Sequence, residues 1–200
     1  MADAIDFYFS FGSPPGYFAS TRIDALAAAH GRRVRRHPVD LREIFAEEGL
    51  KPTIAYPRKG AYHRRDWRRT ADFHGIPFTG RPEVTTSPSM PAALVFYRLA
   101  DRCGEAVAAD FARRALTAFF VEQRALGEVD VLAELATAAG GATDDVALDE
   151  PAAQARVAAA SRRAGEAGVF GSPYVIVDGE PFWGFDRFDQ LERWLATGGW

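Results

Sequence analysis

The chain of 200 residues is 48% hydrophobic, which is enough for one sizeable core and excludes a disordered chain. Its formal net charge of −3 provides no overall attraction to nucleic acid or to an anionic membrane surface. Its single cysteine, Cys103, excludes an internal disulfide, a CxxC redox pair and a cysteine-based zinc cluster.

The first forty residues alternate between strand and helix patterns. Ile5–Phe11 is short, aromatic and bounded by turn residues, which indicates a buried strand. Apolar residues recur at helical spacing across Gly16–His30, and Gly31 suits the left-handed position after the last turn. A second strand is predicted at Val34–Asp40, so this part forms a βαβ unit with a parallel strand pair.

The middle of the chain is predominantly helical. A helix is predicted over Tyr62–His74, followed by a loop rich in Pro, Ser and Thr that extends to Pro88. Between Pro91 and Arg163 alanine is abundant and glycine or proline interrupts the pattern, which predicts four helices. Pro151 suits the first turn of the last of these, behind an acidic cap.

The end of the chain returns to strand patterns. Asp178-Gly179 is a strong hairpin signal, and it separates predicted strands at Tyr174–Val177 and Glu180–Trp183. An amphipathic helix follows at Arg187–Ala196. The order βαβ, helical block, ββα predicts an α/β, thioredoxin-like fold. Its discontinuous domain combines residues 1–40 and 168–200, with a helical insertion at 41–167.

Ser13 stands where the first strand passes into the first helix. Ligands of α/β folds bind at this edge of a parallel sheet. The Ser13 hydroxyl donates one hydrogen bond, and the free N–H groups of the helix favour an anion such as a thiolate. No GxSxG elbow or Ser-His-Asp pattern is present to activate a serine nucleophile. Ser13 therefore either stabilises a thiolate or only caps the helix.

Two further segments have the residue types for a ligand site. Pro173 precedes a strand, and in the thioredoxin arrangement such a proline is cis and faces the first helix; an ordinary trans loop proline is the alternative. A cis bond turns the Ser172 N–H and C=O outward, where an extended ligand can pair with them. Asp186 either caps the last helix or receives a ligand ammonium group, and Gly184 permits close approach. Trp183 is more typical of a hairpin core than of a ligand platform.

These motifs resemble the 2-hydroxychromene-2-carboxylate isomerase family and, more distantly, kappa-class glutathione transferases and DsbA-like oxidoreductases. The resemblance rests on two segments, DFYFSFGSPPGYFA and GVFGSPYVIVDGEPFWGFDRFDQLERWL. It implies that Ser13 stabilises the thiolate of glutathione and that the Ser172-Pro173 loop binds the glutathione backbone. It also implies that the γ-glutamyl end is bordered by Trp183, Gly184, Phe185 and Asp186.

The implied reaction is a glutathione-dependent cis-trans isomerisation in aromatic catabolism, by reversible thiolate addition to an enone. A kappa-class-like glutathione transferase and a non-catalytic peptide-binding module on the same scaffold are the alternatives. Phe185 stands where the family usually has a polar residue, so another low-molecular-weight thiol is also considered. The resemblance further implies a homodimer.

The remaining features limit partners and location. The N-terminus lacks a signal-peptide pattern and no apolar run approaches the roughly 18 residues of a membrane span, so we expect a cytoplasmic protein. The four histidines show no ligand spacing, so no metal is predicted. A basic cluster opposed by Asp66 either attracts an anionic substrate or is a solvated helix face. It consists of Arg58, Lys59, Arg64, Arg65, Arg68 and Arg69.

Overall fold

The computed structural model describes residues 4–47, 49, 51–80 and 89–200. Its four-stranded sheet has the order β2-β1-β3-β4. The strands are β1 (Ile5–Phe9), β2 (Val34–Pro38), β3 (Tyr174–Val177) and β4 (Glu180–Trp183). β1 is parallel to β2 and antiparallel to β3, and β4 is antiparallel to β3.

Along the chain, a block of helices separates the first two strands from the last two. Helix α1 connects β1 to β2, helices α2 to α7 lie between β2 and β3, and α8 follows β4. Their bounds are α1 (Pro14–Ala29), α2 (Leu41–Glu47), α3 (Pro57–His74), α4 (Ser89–Cys103), α5 (Glu105–Phe120), α6 (Val129–Ala138), α7 (Pro151–Glu166) and α8 (Phe188–Thr197). The predicted thioredoxin-like α/β fold is confirmed, as are the four helices predicted after Pro91.

The hairpin between β3 and β4 shows how local sequence sets this topology. Asp178 and Gly179 both have positive φ, 52° and 86°, which is the requirement of a two-residue type I′ turn. The turn brings Val177 opposite Glu180 and extends the pairing to Tyr174 and Trp183. The predicted hairpin is therefore confirmed in position and in register.

One hydrophobic cluster joins the sheet to the inserted helices. Ile5, Phe7 and Phe9 point from β1 into the same core as apolar residues of α1, α4, α5 and α6. The other face of the sheet packs on a smaller cluster that includes Val39 and Tyr174. The domain boundaries proposed above stay a prediction. Across the described ranges, no helix has both the length and the apolarity that a membrane span requires.

Several predicted boundaries are wrong, most importantly at the last helix. Residues Phe185–Arg187 form a short 3-10 turn, so α8 begins at Phe188 and its N-cap is Arg187. Asp186 is therefore not the helix cap. Glu150 precedes α7 as predicted, but its side chain makes no capping hydrogen bond. The part of the predicted loop at residues 81–88 lies outside the described residues.

An ion-paired carboxylate connects the first two strands. Asp6 on β1 accepts hydrogen bonds from Arg35 (2.6 and 2.8 Å) and contacts His37 Nε2 at 2.7 Å, both on β2. Burial by itself raises the pKa of Asp6, but the hydrogen bonds to His37 and Arg35 outweigh it. They hold the pKa of Asp6 well below its usual range.

We predict that Asp6→Asn lowers the free energy of unfolding by about 1–3 kcal/mol at pH 7, because charge-assisted hydrogen bonds are lost. A depressed native pKa stabilises the fold above the unfolded-state pKa and loses that effect as pH falls. The difference in the free energy of unfolding between Asp6→Asn and wild type, measured by urea unfolding, should therefore become smaller below about pH 4. Asp72→Asn, at an exposed position on α3, is the control and should change little. An equal loss at pH 7 and pH 3 would contradict the pairing.

Candidate active site

Ser13 lies between β1 and α1 as the N-cap residue of that helix, with extended backbone angles. The following proline favours this extended conformation for steric reasons. The Ser13 hydroxyl oxygen accepts a hydrogen bond from the Gly16 N–H (3.1 Å), and the hydroxyl donates to the Ser172 carbonyl (3.0 Å). The side chain is half-buried. Ser13 therefore caps α1 and, with the same side chain, contacts the Ser172-Pro173 loop.

The start of α1 offers fewer free N–H groups than the sequence suggests. Pro14 and Pro15 have no N–H, and the next one, on Gly16, donates to Ser13. The expected free N–H groups are thus absent from the first three positions of α1. The Gly16 N–H instead strengthens the Ser13 hydroxyl as a donor, because a hydroxyl that accepts a hydrogen bond donates more strongly.

The Ser172–Pro173 peptide bond is cis. The Ser172 carbonyl was predicted to point outward, toward a ligand. Instead, it accepts a hydrogen bond from the Ser13 hydroxyl. No residue in the described part of the chain accepts a hydrogen bond from the Ser172 main-chain N–H. The Ser172 hydroxyl oxygen accepts from the Ser10 N–H at 3.0 Å. Of the two Ser172 main-chain groups, the carbonyl is therefore engaged and the N–H has no partner among the described residues.

Two buried serines support this arrangement. Ser10 Oγ lies 2.8 Å from Ser89 Oγ, which joins the end of β1 to the first turn of α4. Sequence analysis missed both residues. A signal was present at Ser10, because a polar side chain between Phe9 and Phe11 in a buried aromatic run must find a partner.

Gly16 leaves room for the hydroxyls around it. A Cβ added at Gly16 would lie 2.7 Å from Ser172 Oγ and 3.3 Å from Ser13 Oγ. The neighbouring Tyr17 is already engaged, since its hydroxyl donates to the Pro77 carbonyl at 2.8 Å and burial raises its pKa. The serine hydroxyls are thus the polar groups beside the first turn of α1.

The segment after β4 is tied to the same loop. The Gly184 N–H donates to the Pro173 carbonyl at 3.0 Å, and the Asp186 carboxylate folds back over Gly184. The Asp186 side chain is 72% exposed and pairs with Arg187 at 3.3 Å. Because most of its surface is exposed, the carboxylate is accessible to a cationic group besides Arg187.

The two aromatic residues at this end of the site, Trp183 and Phe185, differ in their exposure. Trp183 is 53% exposed and lies against Gly171 and the ring of Phe170, so it is not a hairpin core residue. Phe185 is only 6% exposed and packs on Phe18, with the ring of His74 beside it. Only the backbone of Phe185 is left to border a ligand.

The structure thus brings Ser13, Ser172, Pro173, Gly184 and Asp186 into one connected region. Other candidate groups lie apart from these contacts. Cys103 ends α4 and is exposed. The basic cluster is on the exposed surface of α3, where Arg69 pairs with Asp66 at 2.5 Å. Within the described residues, no group of three or more His, Cys, Asp or Glu is placed to hold a metal ion.

Comparisons with known proteins agree with this fold. Residues 4–196 match the family described as a DSBA-like thioredoxin domain. The chain is 30% identical over 206 residues to a 2-hydroxychromene-2-carboxylate isomerase of Sphingobium xenophagum, covering 98% of this chain and 99% of that protein. An isomerase of the same name from Pseudomonas putida is 30% identical over 193 residues, covering 94% and 92%. A solved structure of a 2-hydroxychromene-2-carboxylate isomerase has a TM-score of 0.85 and 29% identity, covering 98% of this chain and 94% of that chain.

We predict that Gly16→Ala lowers the free energy of unfolding by about 1–3 kcal/mol, because the new methyl group displaces the Ser172 hydroxyl. The matched control is Gly165→Ala in α7, where an added Cβ meets no atom within 4 Å. The control should be neutral or more stable by up to about 1 kcal/mol. Urea unfolding measures both, and equal effects of the two variants would contradict the close approach at Gly16.

Proposed function

The chain belongs to the 2-hydroxychromene-2-carboxylate isomerase family of DsbA-like thioredoxin proteins, and from this premise we propose that it is a glutathione-dependent isomerase. Its substrate class is a conjugated enone derived from aromatic-compound catabolism. The observation that carries the proposal is the 3.0 Å hydrogen bond between the Ser13 hydroxyl and the Ser172 carbonyl. It joins the helix start that favours an anion to the loop suited to a peptide-like ligand.

The residues of the site fit a thiol tripeptide in three respects. The hydroxyl of Ser13 is a neutral donor at a helix N-terminus, a setting that stabilises a sulfur anion. The Ser172 N–H, which has no partner in the described part of the chain, suits a main-chain carbonyl of an extended ligand. The exposed Asp186 carboxylate, connected through Gly184 to Pro173, suits the ammonium of a γ-glutamyl group.

Glutathione, when bound, supplies a sulfur nucleophile that adds reversibly to the enone and leaves again, without net redox change. The chain itself provides the donors that lower the pKa of that thiol and the groups that orient the ligand. Its single cysteine, which excludes a CxxC pair, is consistent with non-redox chemistry. The exposed ring of Trp183 borders the same loop and offers an apolar surface for an aromatic substrate.

We predict that Ser13→Ala raises the pKa of bound glutathione by about one to two units. A lost hydrogen bond to a charged group costs about 1.5–3 kcal/mol, and one pKa unit corresponds to about 1.4 kcal/mol. Thiolate absorbance followed against pH measures this shift, and tryptophan fluorescence follows binding. Turnover should fall with the pKa shift.

The control for this substitution is Ser20→Ala, because Ser20 lies on the same helix and its hydroxyl donates only to the Tyr17 carbonyl (2.7 Å). It should leave the thiol pKa unchanged. No saturable fluorescence change with glutathione would exclude glutathione as the thiol. If another low-molecular-weight thiol then binds with the same Ser13 dependence, the site stands and the identity of the thiol is corrected.

We predict that Asp186→Asn weakens glutathione binding about tenfold, because the pair between a carboxylate and an ammonium group is lost. KM for glutathione should rise with little change in kcat, since Asp186 lies away from the reacting sulfur. Asp189→Asn, an exposed position in the first turn of α8, is the control for charge. Equal affinity of the two variants would remove Asp186 from the binding site.

A further inference from the structure

The hydroxyl group of Ser172 has no role in the contacts described so far except as an acceptor. Its hydroxyl oxygen accepts a hydrogen bond from the Ser10 N–H at 3.0 Å. Among the residues that the structure describes, none accepts the Ser172 hydroxyl proton in return. Ser172 is half-buried, so the residue is partly accessible to solvent.

Ser13 differs from Ser172 in this respect. The Ser13 hydroxyl accepts from the Gly16 N–H and already donates its proton to the Ser172 carbonyl. Ser13 must give up that hydrogen bond before it can donate to a sulfur atom. Ser172 has no such cost, because no described residue holds its proton.

The two hydroxyls flank the same point in space. Measured from the position of a Cβ on Gly16, Ser172 Oγ lies at 2.7 Å and Ser13 Oγ at 3.3 Å. Glycine at position 16 therefore leaves both oxygens next to the first turn of α1. The two hydroxyl oxygens are therefore neighbours on the same side of this helix start.

The Ser172 hydroxyl is oriented by buried groups. Its partner Ser10 is itself fixed, since Ser10 Oγ lies 2.8 Å from Ser89 Oγ and both side chains are buried. The hydrogen bond that Ser172 accepts also polarises its O–H and makes it a stronger donor. Ser172 thus accepts a hydrogen bond from a fixed partner, while no residue in the described ranges accepts its own proton.

We propose that the Ser172 side chain is a second hydrogen-bond donor to the sulfur of the bound thiol, beside Ser13. The inference rests on the proposed function, because it requires a thiol ligand at this site. It assigns the Ser172 hydroxyl a role distinct from that of the Ser172 main chain, which pairs with the ligand backbone. Two donors on one sulfur stabilise the thiolate more than one donor does.

The test measures the pKa of glutathione bound to Ser172→Ala and Ser172→Thr, by thiolate absorbance against pH. Ser172→Ala should raise the thiol pKa by about one unit, and Ser172→Thr, which keeps the hydroxyl, should restore it. Combined with Ser13→Ala, the Ser172→Ala change should raise the pKa above that of either single variant.

A matched control distinguishes a structural role of the Ser172 hydroxyl from a role in binding the sulfur. Ser161 Oγ in α7 accepts a hydrogen bond from the Asp40 N–H at 3.0 Å, the same kind of support that Ser172 gives to Ser10. Ser161→Ala should lower Tm without changing the thiol pKa. If Ser172→Ala lowers Tm in the same way and leaves the thiol pKa unchanged, the proposal is overturned.

The outcomes also separate this inference from the proposed function. A pKa shift in Ser13→Ala without one in Ser172→Ala overturns the role of Ser172 alone and leaves the isomerase proposal intact. Failure of wild-type protein to bind any low-molecular-weight thiol overturns both. Shifts in both single variants, restored by Ser172→Thr, support the inference.

Discussion

A single hydrogen bond, from the Ser13 hydroxyl to the Ser172 carbonyl, joins two segments that lie 159 residues apart in the chain. One segment begins helix α1 and the other precedes β3. The proposed chemistry needs an anion-stabilising group from the first and a ligand-pairing backbone from the second. Neither segment has both, so the site exists only where the two meet.

The pairing of the strands in the sheet brings these two segments together. β1 is central, parallel to β2 and antiparallel to β3, with Tyr8 opposite Tyr174. The carboxyl end of β1 therefore lies beside the amino end of β3, at the same end of the two inner strands. The inserted helices add support from outside, because Ser89 at the start of α4 reaches Ser10 just after β1. The shared hydrophobic core holds that helix against the strand.

The sequence predicted the features that local patterns determine. The order of strands and helices along the chain, the Asp178-Gly179 hairpin and the cis bond before Pro173 follow from short motifs and their order. The roles of Ser13 and Pro173 in a ligand site stay predictions. The serine network does not, because Ser10 and Ser172 are 162 residues apart, Ser10 and Ser89 are 79 apart, and hydroxyl pairs have no periodic signature. Asp186 was misplaced because a 3-10 turn at Phe185–Arg187 delays the helix by one residue, and a capping rule counts residues locally. The burial of Phe185 against Phe18 likewise depends on the packing of distant elements.

The central claim is that the thiol is held as its anion, and proton release on binding tests it most directly. A free thiol has a pKa of about 8.5, so it is mostly protonated at pH 7. Isothermal titration calorimetry in buffers of different ionisation enthalpy counts the protons released when glutathione binds to the wild-type protein. If the protein holds the thiolate, close to one proton per bound glutathione is released at pH 7. Binding without proton release would show that the sulfur stays protonated and would contradict the account.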